Sequence, residues 1–487
     1  MKAQKSIKKN YIYNVSYQIL TLLTPFITTP YISRVLGAEG IGTYSYSNSI
    51  VSYFILVAVL GLHTYGQREA AYSQDDRVKI SGIFWETTIF KLITSVISLS
   101  AYFIFISFFR NNRGVFLIQS ITILATALDI SWFFQGLEEF GKIALRNCGF
   151  KVLNIAYIFL FVKSKEDILT YIFGIAALTL AGNISMWSYL PKYLVKIRLR
   201  DIKVFRNARD IIQLFIPTVA IQIYTVLDKT MIGMYASSYS ENGFYEQAER
   251  LSKMALMIIT SLGTVMSPRI AYTYIKKDIE KLQYYMYRSY RFVWFMAIPI
   301  MFGLIAVADL VVPWFYGPGY ERCVILIRIF SILVLAIGLS NVTGMQLLIP
   351  IKKQNVFTIT VLAGAVVNLI INLFLIPKYF AVGAAVASIA AEFMVTAIQF
   401  VYVVQIKKLF TYRGIFRYSG RYFLCGGTMY ATVTVMKPFL KPDAAGTFFA
   451  VIMGGIIYFG MLFLWKDDFV TALCKKAVRL GRKKSEK

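Results

Sequence analysis

The chain has 487 residues, of which 57% are hydrophobic and only 16% are charged, and its formal net charge at pH 7 is +27. Soluble proteins average about 25% charged residues, so the composition excludes an ordinary soluble domain. Apolar runs of about 20 residues recur from one end of the chain to the other, and a helix of that length crosses about 30 Å of hydrocarbon. The sequence therefore predicts an all-α polytopic membrane protein.

Fourteen apolar segments are long enough to cross a bilayer. In chain order they are residues 10–33, 41–64, 82–109, 114–137, 143–162, 168–190, 211–235, 243–271, 290–316, 323–349, 355–376, 382–406, 415–436 and 445–465. The connections between them are too short to hold a soluble domain. We therefore expect any function to lie among the helices or on short loops.

Lysine and arginine concentrate in alternate connections between these segments. The rich connections include residues 2–9, 191–210, 407–421 and the tail from 466 to 487, whereas the outer mouth of the first span holds only Arg34. Cytoplasmic loops carry such an excess, which predicts an even number of spans in the cytoplasmic membrane with both termini in the cytoplasm. The net positive charge then indicates attraction to an anionic inner leaflet rather than to nucleic acid.

The connection PKYLVKIRLRDIKVFRNARD, residues 191–210, is basic and separates the first six segments from the next six. Leu194, Ile197, Ile202 and Phe205 would share one face of a helix, which is the pattern of a helix that lies on the membrane surface. An ordinary cytoplasmic loop fits the sequence equally well. Both interpretations of this basic linker stay open.

A weak internal repeat relates the two sets of six segments. RVLGAEGIGTYSYSNSI, residues 34–50, and YASSYSENGFYEQAERL, residues 235–251, each follow the first segment of a set, and Gly42 in one corresponds to Gly243 in the other. Since the loops also match, we predict a parallel repeat, which places a substrate site between two lobes.

The repeat predicts two six-helix lobes, with the last two helices left over as an appendage. The predicted domains are an N-terminal lobe at 1–190, the basic linker at 191–210, a C-terminal lobe at 211–410, and the final two spans with a basic tail at 411–487.

Charged residues inside apolar segments are the candidate functional residues, because a lone charge that faces lipid costs about 2.5–3.5 kcal/mol or more. Asp228 and Lys229 lie about seven residues from the outer end of their segment, and Arg250 lies about as far into the next one. At 1.5 Å per residue the three share a depth of about 10 Å, which places Asp228 and Arg250 to pair. They form either a structural ion pair or part of a hydrated cavity.

Asp309 and Arg328 fall at similar outer depth on consecutive segments and are a second candidate ion pair. Asp129 lies in the inner half of its segment, and Glu392 lies near the midplane of another. Asp129, Asp309 and Glu392 are therefore, with Asp228, candidates for ion pairing or for ion coupling.

The candidate cations of a cavity are Arg34, Lys91, Lys229, Arg250 and Arg328. Phosphate and pyrophosphate are the natural passengers of a cationic cavity, because arginine and lysine offer them both charge and several donors. The cysteines are far apart and His63 is the only histidine, so no metal site and no cofactor is predicted.

Several stretches of the chain resemble one known family. They are PYISRVLGAEGIGTYSYSNSI (30–50), YTVLDKTMIGMYAS with NGFYEQAERL (224–251), NVTGMQLLIPIKKQN (341–355) and VVNLIINLFLIPKYFAVGAAVASIAAEF (366–393). In order and spacing the chain resembles the polysaccharide flippases. These are the O-antigen and capsule repeat-unit exporters of the multidrug/oligosaccharidyl-lipid/polysaccharide superfamily.

The resemblance implies a two-lobed transporter that flips undecaprenyl-pyrophosphate-linked oligosaccharide from the inner to the outer leaflet by alternating access. It also implies a cationic cavity, which carries over to Arg34, Lys229 and Arg250. Coupling to a proton or sodium gradient is a hypothesis. The expected partners are the lipid-linked oligosaccharide, the phospholipid bilayer and polysaccharide polymerase machinery, and we expect a monomer.

Three alternatives stay open. The cargo could be another lipid-linked precursor, of peptidoglycan or of teichoic acid. A cation-coupled drug or metabolite antiporter of the same superfamily is the second alternative, although the cationic inventory and the two additional spans argue against it. A membrane polysaccharide polymerase or ligase is the third, but such enzymes need a large outer loop and a nucleophile, base or metal group, and the sequence shows neither.

Overall fold

The computed structural model describes residues 7–108, 112–198, 200 and 202–471, and the regular structure in these ranges is entirely helical. The α-helices are, in chain order, α1 (Ile7–Val59), α2 (Leu62–Tyr72), α3 (Arg77–Ser107), α4 (Arg113–Ala127), α5 (Ser131–Gly136), α6 (Phe140–Phe161), α7 (Ile168–Ser185), α8 (Ala208–Tyr235), α9 (Ser240–Ile275), α10 (Ile279–Phe315), α11 (Arg322–Thr343), α12 (Gln354–Val401), α13 (Tyr412–Phe416), α14 (Ser419–Met436) and α15 (Ala444–Leu464).

The fourteen predicted spans coincide with these helices or with arms of them. Ten helical stretches of the described chain are long and apolar enough to cross a membrane. Two of these, Leu23–Tyr72 and Gln354–Ile406, hold two predicted spans each, and α8 and α14 account for the last two. The prediction of an all-α, multi-pass membrane protein is therefore confirmed.

Two long helices are pairs of spans joined at a kink. In α1 the kink lies at Gly37, whose φ is 69°. Glycine adopts a positive φ without steric cost because it has no Cβ. In α12 the kink lies at Phe380, with φ 49° and ψ −122°, three residues after Pro377. Proline removes a backbone donor from the helix, so the regular hydrogen-bond ladder is already interrupted just before this kink.

The chain divides after Glu246 into two compact units. In the first unit, Tyr46, Tyr102 and Phe116 form a buried core that joins α1, α3 and α4. In the second unit, a larger core is built around Tyr290 and joins α10, α11, α14 and α15. The unit boundary falls inside α9, so the predicted lobes at 1–190 and 211–410 stay predictions.

The basic linker is not a surface helix in the residues that the structure describes. A 3₁₀ segment ends at Lys192 and α8 begins at Ala208, with mostly irregular chain between them. The Val195 amide donates to the Ser81 hydroxyl at 3.0 Å, and Phe205 packs edge-to-face on Phe90 of α3 at 5.4 Å. The helix interpretation is therefore wrong for the described residues, where the chain is irregular and a backbone amide and the Phe205 ring contact α3.

Candidate functional site

Two glycines of the predicted repeat lie where α1 and the start of α9 touch. A Cβ on Gly42 would lie 1.7 Å from the Tyr239 carbonyl oxygen, and a Cβ on Gly243 would lie 2.0 Å from the Ala38 carbonyl oxygen. Real side chains cannot approach so closely, so only glycine fits at either position. The repeat therefore has a structural consequence within the first unit, where its two copies contact each other.

Lys229 on α8 forms an ion pair with Glu246 on α9. The Nζ–Oε2 distance is 2.6 Å, and the two side chains are only 17% and 15% exposed. Ser45 on α1 donates its hydroxyl to the same carboxylate oxygen at 2.9 Å. Asn242 donates to the Lys229 carbonyl oxygen at 2.6 Å, which ties α8 to α9 a second time. One carboxylate oxygen thus joins three helices.

Asp228 takes a different partner from its neighbour Lys229. The Tyr245 hydroxyl donates to Asp228 Oδ2 at 2.6 Å, and Asp228 is only 5% exposed. This second α8–α9 contact lies beside the first, since Tyr245 and Glu246 are also adjacent. We refer to Ser45, Asp228, Lys229, Tyr245 and Glu246 as the first-unit polar cluster.

Arg34 and Arg250 are the two cations that the resemblance assigns to the cavity together with Lys229. Arg34 lies on the first arm of α1 and its side chain is exposed. Arg250 belongs to the second unit and lies three residues beyond Gln247, whose carbonyl oxygen accepts a 2.9 Å hydrogen bond from Tyr316. Because Asp228 and Arg250 belong to different units, the predicted Asp228–Arg250 pair stays a prediction.

Lys91 forms a hydrogen bond at the break between α4 and α5. Helix α4 ends at Ala127 and α5 begins at Ser131, which leaves carbonyl groups without helical partners. Lys91 donates to the Asp129 carbonyl oxygen at 2.8 Å, and Trp187 donates to the Leu128 carbonyl oxygen at 2.8 Å. Membrane helices tolerate such a break where neighbours satisfy the freed groups. Lys91 is 3% exposed, so its position fits this structural task.

The Asp129 carboxylate is held at the same break. Its Oδ1 accepts from the Ser131 amide at 2.9 Å and from the Ser131 hydroxyl at 2.5 Å. Arg146 of α6 approaches the same oxygen at 3.8 Å and donates to Asn183 at 2.7 Å. These contacts give Asp129 a place in a packed polar network of the first unit.

Asp309 and Arg328 form the ion pair that their depth predicted, between α10 and α11. Lys437, at the end of α14, binds the other oxygen of the same carboxylate. Asp309 therefore joins three helices of the second unit. Sequence spacing identified the first partner but missed Lys437, because Lys437 comes from 128 residues further along the chain.

Glu392 lies half-buried on the second arm of α12, and Ser340 of α11 approaches its Oε2 at 3.5 Å. Glu392 belongs to the second unit. Among the described residues, no group of three or more histidine, cysteine or carboxylate side chains is arranged to hold a metal ion.

Sequence analysis also missed a basic cavity beside the linker. A cavity of about 530 Å³ in the first unit is lined by Lys79 of α3, by Lys196, Arg198 and Arg206 of the linker, and by two carboxylates. Glu86, one of these carboxylates, accepts the Lys203 amide at 3.1 Å. The basic composition of residues 191–210 was the signal, but only the fold shows that these cations line a cavity.

Comparison with known proteins gives one family and several relatives. The model of the family described as "Polysaccharide biosynthesis protein" matches residues 7–274. A "Putative O-antigen transporter" of Escherichia coli strain K12 is 25% identical over 407 residues, which cover 82% of this chain and 97% of the relative. The "Probable low-salt glycan biosynthesis flippase Agl15" of Haloferax volcanii is 22% identical over 389 residues, covering 77% and 78%.

Two solved structures show the same fold. The Lipid II flippase MurJ in an inward closed conformation gives a TM-score of 0.73 at 16% identity and covers 95% of this chain and 99% of its own. An inward-facing multidrug resistance MATE family transporter of the MOP superfamily gives a TM-score of 0.64 at 13% identity, covering 80% and 95%.

Proposed function

Because the chain belongs to the polysaccharide biosynthesis protein family, we propose that it flips an undecaprenyl-pyrophosphate-linked oligosaccharide from the inner to the outer leaflet of the cytoplasmic membrane. Relatives named as O-antigen transporters and as a glycan biosynthesis flippase support this class of cargo. Family membership confirms the resemblance found in the sequence. The relatives are named as transporters, so the prediction of a transporter rather than an enzyme is also confirmed.

The Lys229–Glu246 ion pair is the observation that supports a role for the first-unit polar cluster. A buried ammonium group costs free energy unless a partner compensates it, and here one carboxylate and its hydroxyl neighbour do so. A pyrophosphate carries more charge and more acceptor atoms than a carboxylate, so it can compete with Glu246 for Lys229. We propose that the pyrophosphate of the cargo replaces Glu246 as the partner of Lys229, with Arg34 and Arg250 as further cations.

The transport cycle that we propose is alternating access. Cargo passage then requires helices of the first unit to separate where Gly42 and Gly243 now allow backbone contact. A proton or sodium gradient would drive the cycle, with Asp228, Asp309 or Glu392 as the coupling carboxylate. Both termini lie in the cytoplasm in this proposal, although residues 1–6 and 472–487 lie outside the described part of the chain.

A flipping assay in liposomes tests the proposal directly. The purified full chain is reconstituted with undecaprenyl-pyrophosphate-linked oligosaccharide, and the fraction of sugar open to a membrane-impermeant lectin is followed over time. We expect proteoliposomes to make nearly all of the sugar accessible, whereas protein-free liposomes should stay near half. An imposed proton or sodium gradient should change the rate if one of them drives the cycle.

The same preparation separates the competing substrates. Peptidoglycan and teichoic-acid precursors are assayed as lipid-linked cargo, and a cationic dye is assayed for antiport. Movement of another precursor but not of the oligosaccharide would correct the cargo. Gradient-driven movement of the dye alone would contradict the flippase assignment and favour an antiporter. Polymerase machinery as a partner, and a monomeric state, remain part of the proposal.

A further inference from the structure

A second basic cavity lies in the second unit, and none of the residues assigned to transport lines it. It has a volume of about 500 Å³, within the range of small-molecule sites. It is formed by the beginning of α10, the residues around α13, and the segment that follows α15. The lining residues are Tyr284, Tyr287, Arg288, Arg291, Thr411, Gly414, Arg417, Tyr418, Asp468 and Phe469.

Arg291 fastens the segment after α15 to the rest of the unit. Its guanidinium binds Asp467 at 2.9 Å and Asp468 at 2.7 Å, and it lies 3.9 Å from the centre of the Tyr418 ring. The hydrogen bond from Arg291 holds the pKa of the Asp468 carboxyl below its usual range, so Asp468 is ionised at neutral pH. The charge of Arg291 is therefore compensated within the protein.

Arg288 and Arg417 are the other two arginines of this cavity, and the charge of Asp468 acts on Arg288 from across it. Arg288 donates to the Tyr284 hydroxyl at 2.8 Å and lies 5.7 Å from the Phe469 ring centre. Arg417 lies 5.5 Å from the Tyr418 ring centre. Neither forms an ion pair with a carboxylate among the residues that the structure describes, and both side chains are exposed. Aromatic contacts hold the two guanidinium groups in place while their donors stay available.

We propose that this cavity binds the phosphate headgroup of an anionic phospholipid. Basic pockets at the ends of membrane helices suit such headgroups, and tyrosines that line this one bring hydroxyl groups to an aromatic wall. The chain neighbour of Arg417 is Phe416, which is exposed and packs against Trp294. An apolar surface beside the charged cavity is what acyl chains require, and a free phosphate would not use it.

A lipid in this cavity would hold two chain segments at once. Arg417 belongs to the connection between α13 and α14, whereas Arg288 lies on α10 and contacts Phe469 of the segment after α15. One phosphate that bridges Arg288 and Arg417 would therefore fasten α10 to the α13 region. The lipid would act as a structural ligand of the second unit, independent of the flipped cargo.

The test uses the purified full chain free of glycolipid. Retention of dioleoylphosphatidylglycerol and of dioleoylphosphatidylcholine is compared by native mass spectrometry for wild type and for the Arg288→Gln/Arg417→Gln double variant. Each arginine near an anionic lipid surface contributes a factor of about five in affinity. We therefore expect wild type to prefer phosphatidylglycerol and the double variant to bind it about 25-fold more weakly.

The matched control is Lys277→Gln/Lys281→Gln, which removes two exposed charges near the start of α10 that do not line the cavity. It should retain phosphatidylglycerol as wild type does, and Arg288→Lys/Arg417→Lys should stay within about fivefold. Equal retention by wild type and the Gln double variant would overturn the proposal. So would equal retention of both lipids, or displacement of the lipid by inorganic phosphate at equal concentration.

Discussion

At the scale of residues, the Lys229–Glu246 pair is open to two interpretations that make different predictions. As a purely structural pair, it needs opposite charges at the two positions and is indifferent to which position holds the cation. As part of a cargo site, it needs a cation at position 229, because the pyrophosphate must meet Lys229 where it now meets Glu246. A charge swap separates these interpretations.

We expect Lys229→Glu alone to abolish surface polysaccharide, because it places two carboxylates together and removes the cation. Breaking a buried ion pair also costs about 3–5 kcal/mol of stability. The Lys229→Glu/Glu246→Lys double variant should recover most of that stability without recovering polysaccharide export. The measurements are thermal unfolding of the purified protein and surface polysaccharide in a strain that lacks the native protein.

The control for this swap is Lys253→Glu, which reverses a charge that is 59% exposed and paired within α9. It should leave both stability and export close to wild type. Immunoblots of membranes must show comparable protein for all variants. Full export by the swapped pair would show that the pair is structural, and position 229 would leave the proposed site.

Sequence alone predicted the charges that lie close in depth on consecutive helices. Asp309 and Arg328 were found in this way, because two antiparallel helices bring such residues to one level. Lys437 and the Asp129 carbonyl group were not found, since they reach Asp309 and Lys91 from 128 and 38 residues away. Local spacing carries no information on a partner that only the packing of distant helices supplies.

At the scale of elements, each predicted span lies on a helix, although some boundaries differ: α10 begins at Ile279, before the predicted 290, and α4 ends at Ala127, before the predicted 137. The basic linker is not the helix that its pattern allowed. Span length depends on the thickness of the bilayer, which every apolar segment must match. The amphipathic pattern of residues 191–210 has no such constraint. Phe205 contacts Phe90 of α3, and Leu194 packs on a buried cluster that includes Phe84 of α3. The pattern therefore pointed to apolar residues that are at most half-buried, with Phe205 65% exposed, and it did not predict the irregular backbone that carries them.

The glycine contact between α1 and α9 gives the second prediction. Gly42→Ala and Gly243→Ala each add a methyl group where the nearest backbone oxygen would lie 1.7 or 2.0 Å away, so the helices must move apart. We expect faster amide hydrogen exchange at residues 38–46 and 239–246 in both variants. Export should fall if the cycle needs this contact to form.

Gly82→Ala is the matched control, because nothing lies within 4 Å of a Cβ at that position. Alanine favours the helix by up to about 1 kcal/mol relative to glycine, so this variant should be at least as stable as wild type. Unchanged exchange in the Gly42 and Gly243 variants would show that the helices do not need the close contact.

At the scale of the whole molecule, the all-helical, multi-pass fold could be predicted from composition and apolar runs, whereas the division of the chain into two compact units could not. The chain divides inside α9 because α8 packs on α1 and joins the first unit. The sequence repeat pointed instead to a division near the basic linker. A repeat reflects similarity between segments, whereas a compact unit reflects which segments are in contact. Here the two divisions differ by α8 and the beginning of α9.

The final prediction concerns the side of the membrane that each connection faces if the chain has fourteen spans and both termini in the cytoplasm. In a cysteine-free background, Lys165→Cys and Lys441→Cys should react with a membrane-impermeant maleimide in intact cells, because both lie in connections predicted to be outside. Lys277→Cys and Lys408→Cys should react only after permeabilisation. All four positions are exposed, so burial cannot explain a failure to react. An odd number of spans between Lys165 and Lys441 would put them on opposite sides, and only one would then react in intact cells.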